Sequence, residues 1–97
     1  MKTKLLSPIG KWKNSSGIRM SIYEIPDRSD DFSIQLVNDQ INASCAVHLS
    51  RGKDNYFHIY DNEILGQGML KIASTREMVI DTPKFQGLVL YRDYSRE

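Results

Sequence analysis

The chain is short of the residues that usually carry chemistry. One cysteine, Cys45, stands among 97 residues, so no disulfide can form within the chain and a reducing compartment is expected. The two histidines, His48 and His58, fall short of the four ligands of a closed zinc site, so no metal or other cofactor is expected. Long apolar runs are missing too. Only Leu5 and Leu6 follow the basic Met1-Lys2-Thr3-Lys4, against the roughly 7–15 apolar residues of a signal sequence. No stretch reaches the roughly 18 residues of a membrane-spanning helix, and a cytoplasmic location is expected. An excess of one charge sign is also lacking. Thirteen Lys and Arg face twelve Asp and Glu, a net charge of +1, which argues against a dedicated nucleic-acid binder.

The charge is nevertheless uneven along the chain. Lys2, Lys4, Lys11, Lys13 and Arg19 all precede the first acid, Glu24. Glu24, Asp27, Asp30 and Asp31 then follow, with only Arg28 among them. Runs of this kind are usually solvated surface and loop charge. The three aspartates read as a polar loop, where ordinary ionisation rather than general-acid work is expected. With 40% hydrophobic and 26% charged residues, the chain has the make-up of one globular domain over 1–97.

What the chain has in quantity is period-two alternation. Ile18, Met20 and Ile22 alternate with Arg19, Ser21 and Tyr23. Phe32, Ile34 and Leu36 alternate with Ser33 and Gln35; Cys45, Val47 and Leu49 alternate with Ala46, His48 and Ser50. The pattern continues through Phe57 and Ile59, Leu70 and Ile72, Met78 and Ile80, and Leu88 and Leu90. Alternation of this kind marks strands with one apolar face and one wet face. Turn residues separate the runs, predicting strands at 10–14, 17–25, 31–38, 43–50, 55–61, 67–74, 77–81 and 86–94. A helical turn fits near Ser7 or Asn62, and no longer helical period is present. The expected fold is therefore all-β: an antiparallel up-and-down barrel of about eight short strands, closed or partly open, since roughly that number closes a small barrel.

The first strand carries a motif. Residues 10–22 read G-K-W-K-N-S-S-G-I-R-M-S-I. The motif resembles the first hairpin of the avidin family and, more loosely, the G-x-W opening of lipocalin-like (calycin) barrels. The resemblance implies that Gly10 bends the chain close to the barrel floor and that the Trp12 ring plugs that end, while Gly17 suits the turn to the next strand. The lipocalin-like resemblance implies an arginine from the last strand packed over the tryptophan, and Arg92 is the matching residue. The avidin-like resemblance makes Asn14 a candidate ligand-site residue. It also implies a second biotin contact from a serine, but Ile18 stands in that place. Avidin sites are walled by several tryptophans, and this chain has one.

Three other features bear on function. If Gly52-Lys53-Asp54 closes a three-residue hairpin, Leu49 faces Phe57, Val47 faces Ile59, and His48 faces His58 on the outer surface. Such pairs have Cβ atoms about 4.5–5.5 Å apart. Tyr23, Tyr56 and Tyr60 share the outward register, and tyrosine is enriched at protein interfaces. The candidate partner face is thus His48, Tyr56, His58, Tyr60 and Tyr23. Cys45 falls inward with Val47 and Leu49, where a free cysteine acts as a small hydrophobe. Gly66-Gln67-Gly68 reads as a bulge or turn, and Ser74-Thr75-Arg76-Glu77 as a turn between strands.

No catalytic set emerges, since the inward register holds almost no polar residues. The leading expectation is a small non-catalytic protein-binding module, such as a cytoplasmic inhibitor or immunity-type protein, acting as a monomer or homodimer by surface contact. Such a module is expected to lack any pocket beyond about 300 Å³. The alternative is a calycin-type carrier holding a small apolar ligand inside the barrel.

Overall fold

A computed structural model describes residues 6–94. Lys2 and Lys4 of the basic N-terminal run lie outside them. Eight strands follow in chain order: β1 Gly10–Lys13, β2 Arg19–Ile25, β3 Arg28–Val37, β4 Asn42–Arg51, β5 Tyr56–Ile59, β6 Gly68–Ser74, β7 Glu77–Asp81 and β8 Leu88–Arg92. Each pairs antiparallel with the next, and β8 pairs back onto β1, giving a closed up-and-down barrel. This all-β architecture is compatible with a calycin-like barrel. Closure matters for so short a chain, because it leaves no strand edge unpaired. Among the described residues no helix is long and apolar enough to cross a membrane.

The interior follows the predicted alternation. Met20, Ile22, Ile34, Leu36, Val47, Leu49, Ile59, Leu70, Ile72, Met78, Ile80 and Leu90 are buried inside. Cys45 is partly buried and packs against this core. Both barrel ends are filled. At one end Pro8 and Ile9 lead into Trp12, which is fully buried. At the other, the β5–β6 connection turns in Ile64 and Leu65, with Phe85 partly buried beside the core. Asn62 builds that inward turn: its Oδ1 accepts from the Ile64 and Leu65 amides at 3.0 and 2.7 Å, and its Nδ2 donates to the Tyr60 and Gly66 carbonyls.

Two connections depart from the sequence reading. β3 begins at Arg28, three residues before the expected 31, so Asp30 lies in the strand rather than in a polar loop, and Asp31 sits well inside the strand rather than at its start. Pro26-Asp27 is a tight two-residue turn between the paired Ile25 and Arg28, with Asp27 at φ 67°. Proline presets φ for the first turn position, and aspartate tolerates a positive φ at the second. The β4–β5 hairpin is also shifted. Gly52 N–H donates to the Tyr56 carbonyl at 2.8 Å, so the loop is Lys53-Asp54-Asn55 rather than Gly52-Lys53-Asp54. Among the bonds that hold Asn55 in the loop, its Oδ1 accepts from the Leu6 amide and its carbonyl from the Ile72 amide. Asp54, at φ 57°, supplies the left-handed turn residue in place of glycine.

Candidate functional site

The shifted hairpin rearranges the outer face of β4 and β5. The pairs are Leu49 with Ile59, Ser50 with His58, and Arg51 with Phe57. β5 has slid by two residues relative to the predicted register. A slip of two keeps every side chain on its own face, whereas a slip of one would exchange the faces. His48 therefore stays outward but does not face His58. Its carbonyl accepts from the Tyr60 amide at 3.1 Å, just beyond the end of β5.

The result is a cluster rather than a histidine pair. The Tyr60 ring stands edge-on to both imidazoles, with centroids 4.6 Å from His48 and 4.7 Å from His58. Such T-shaped contacts fix ring orientation; they contribute about 0.5–1.5 kcal/mol when well packed, and less where, as here, the rings are half exposed. On its other side His48 Nδ1 lies 2.7 Å from Asp31 Oδ1, and Asp31 also pairs with Arg28 at 3.5 Å. Sequence reasoning missed Asp31 as a partner because it read that residue as loop charge at the very start of its strand. The β3–β4 register, in which Asp31 pairs with His48, brings the two together.

Beyond His58 the face continues onto β6. His58 pairs with Met69, and Tyr56 pairs with Lys71, whose Nζ lies 5.3 Å from the Tyr56 ring centroid. Tyr56, Tyr60 and Met69 are 38%, 46% and 48% exposed. Tyr56, His58 and Met69 border an open cleft of about 330 Å³ closed on one side by Gly52 and Lys53. Met69 and Lys71 alternate outward with Leu70 and Ile72 in the sequence, so their place on this face was open to inference. Among the described residues no three His, Cys, Asp or Glu side chains converge as a metal-binding group.

Tyr23 does not join this face. It is exposed, but it sits on β2, which β3 and β4 separate from β5, and it borders a different cleft. That cleft measures about 400 Å³ and lies outside the barrel, so the expectation of no pocket beyond 300 Å³ is not met. The cleft is formed between outward side chains of β1, β2 and β3, with Asp93 after β8 at its border.

The residues of the opening motif hold the barrel together. Gly10 has φ 134°, and a Cβ there would run into the Arg92 guanidinium. The Trp12 indole N–H donates to the Pro8 carbonyl at 2.8 Å, and Arg92 Cζ lies 3.9 Å from the ring centroid. Arg92 also donates to the carbonyls of Ile9 and Thr75 at 2.6 and 3.2 Å, tying the chain before β1 to the β6–β7 turn. Asn14 spends its Oδ1 on the Ser16 and Ile18 amides, both at 3.0 Å, shaping the β1–β2 turn together with Gly17 at φ 91°. Comparison of this chain with known protein families, with curated proteins and with solved structures gives no match.

Proposed function

We propose that the chain is a non-catalytic protein-binding module, of the inhibitor or immunity type, that acts in a reducing compartment through the outer face of β4, β5 and β6. The observation that carries this reading is the exposed group Tyr56, His58, Tyr60 and Met69, set in order by ring contacts on a closed barrel. Aromatic residues and methionine are enriched at interface centres, and charged residues are depleted there. Groups already held in place lose less freedom on binding, which favours affinity. His48 and Lys71 border the group with polar atoms suited to an interface rim.

The experiment is a pull-down from the native cell with the intact chain and with Tyr60→Ala and Met69→Asp variants, followed by mass spectrometry of proteins and small molecules. A stoichiometric protein recovered with the intact chain and lost with both variants supports the module. Capture unaffected by either substitution overturns this face as the contact. The alternative is a calycin-type carrier, supported by the eight-strand closure and the Trp12–Arg92 pair. The buried apolar side chains inside the barrel and at both ends weigh against it. A small apolar molecule released from the denatured protein would support it.

A further inference from the structure

A second face of the barrel, independent of the one just proposed, has different chemistry. On the outside of β1, β2 and β3 lies the open cleft of about 400 Å³ bordered by Lys11, Arg19, Ser21, Tyr23, Gln35 and Asp93. The register explains why the cations meet there. Lys11 pairs with Ser21 and Lys13 with Arg19, so Lys11 and Arg19 are diagonal neighbours on one surface. Diagonal Cβ atoms lie about 7–8 Å apart, a span that long basic side chains close readily around one anion. Among the described residues neither Lys11 nor Arg19 makes an ion pair. The carboxylate of the cleft, Asp93, lies 3.6 Å from the Lys13 ammonium. Ser21, directly opposite Lys11, adds a hydroxyl donor, and Gln35 pairs with Ser21 from the next strand.

Far from this charged end, Tyr23 offers a wall that is 46% exposed, on the same face as Ser21. The cleft is many times larger than an inorganic anion needs and falls within the usual range for small-ligand sites. Two cations without an ion pair among the described residues suit a dianion better than a single carboxylate, and guanidinium and ammonium groups both bind phosphate oxygens well. The geometry points to a binding site for a small organic monophosphate, its phosphate held between Lys11 and Arg19 and its planar, ring-bearing body lying toward Tyr23. Nucleoside monophosphates have this chemistry.

The test uses the intact chain labelled with nitrogen-15 and titrated with AMP, ribose 5-phosphate and adenosine. AMP is expected to shift the amides of Lys11, Arg19, Ser21 and Tyr23 saturably, ribose 5-phosphate the same amides more weakly, and adenosine none. Lys11→Gln and Arg19→Gln, both at exposed positions, should each weaken AMP by about tenfold or more, as loss of a charge-assisted bond does. Lys53→Gln, on the other face, should leave the affinity unchanged. Raising the salt concentration should weaken AMP binding, since the cleft is open to solvent. The proposal is overturned if no saturable shift occurs below about 10 mM AMP, a level at which binding would be negligible. It is equally overturned if Lys53→Gln costs as much as Arg19→Gln. A single-stranded oligonucleotide that binds more tightly with each added nucleotide would also overturn it, in favour of an extended nucleic-acid track.

Discussion

Arg92 packs over the Trp12 ring, its Cζ 3.9 Å from the ring centroid, so the two side chains support each other. The indole is fully buried, its N–H satisfied by Pro8, and the guanidinium that covers it also holds Ile9 and Thr75. Removing the ring leaves a cavity under an arginine whose other bonds depend on that packing. Trp12→Ala is therefore expected to cost about 3–5 kcal/mol, read as a large fall in the urea or thermal midpoint. An unchanged melt would rule out the plugged floor. Gly10→Ala should also destabilise, by about 1–3 kcal/mol, because the added methyl meets the Arg92 guanidinium at a φ that side chains disfavour. A Gly10→Ala protein with native stability would show that Arg92 can move aside without loss. The roles of Trp12, Gly10 and Arg92 were legible in the sequence, through the opening motif and its resemblance. The four carbonyls around Trp12 and Arg92, those of Ser7, Pro8, Ile9 and Thr75, were not, because a backbone acceptor leaves no mark on residue type.

At the scale of elements, the seam between β1 and β8 is the shortest pairing. It consists of Trp12 with Arg92 and Lys13 with Tyr91, extended by the bond from the Asp93 amide to the Lys11 carbonyl. β2, β3 and β4 pair over far longer registers, from Arg19 with Val37 to Ile25 with Arg28 between β2 and β3, and from Asp31 with His48 to Val37 with Asn42 between β3 and β4. Amide hydrogen exchange is expected to be at least about tenfold faster at the β1–β8 seam than at the centre of β3, because local opening there breaks fewer bonds. Equal protection would mean that the barrel opens only as a whole. The turns give a second prediction. Asp54 holds a left-handed conformation, which a β-branched residue adopts only with strain. Asp54→Val should lower stability by about 1–2 kcal/mol relative to Asp54→Gly, measured by chemical denaturation of the two variants. The placement of the strands was legible because period-two alternation is a local property. The exact hairpin loop was not. Gly52-Lys53-Asp54 and Lys53-Asp54-Asn55 are both sound turns locally, and bonds from Asn55 to distant Leu6 and Ile72 choose between them.

At the scale of the whole molecule, closure of the sheet separates two outer faces. One presents Tyr56, His58, Tyr60 and Met69; the other presents Lys11, Arg19 and Tyr23 around a basic cleft. Substitutions on either face touch little of the core. Tyr60→Ala is expected to change folding stability by no more than about 1 kcal/mol, its ring contacts being partly solvated. Thermal denaturation checks this, and a large loss would make Tyr60 a structural residue rather than a contact residue. The sequence identified most of the first face because outward positions of β4 and β5 are fixed by parity. It also assigned Tyr23 to that face, which the order of strands around the barrel does not allow.

Strand periodicity, the division of side chains into interior and exterior, and the first strand as the foundation of the barrel all follow from residue order alone. Each of these depends on neighbours along the chain. It took the folded barrel to set Tyr60, not His58, against His48, to bring Asp31 to them, and to gather Lys11, Arg19 and Tyr23 around one cleft. Those pairings depend on register and on which strands lie side by side, quantities set by long-range bonds and by closure of the sheet rather than by local spacing.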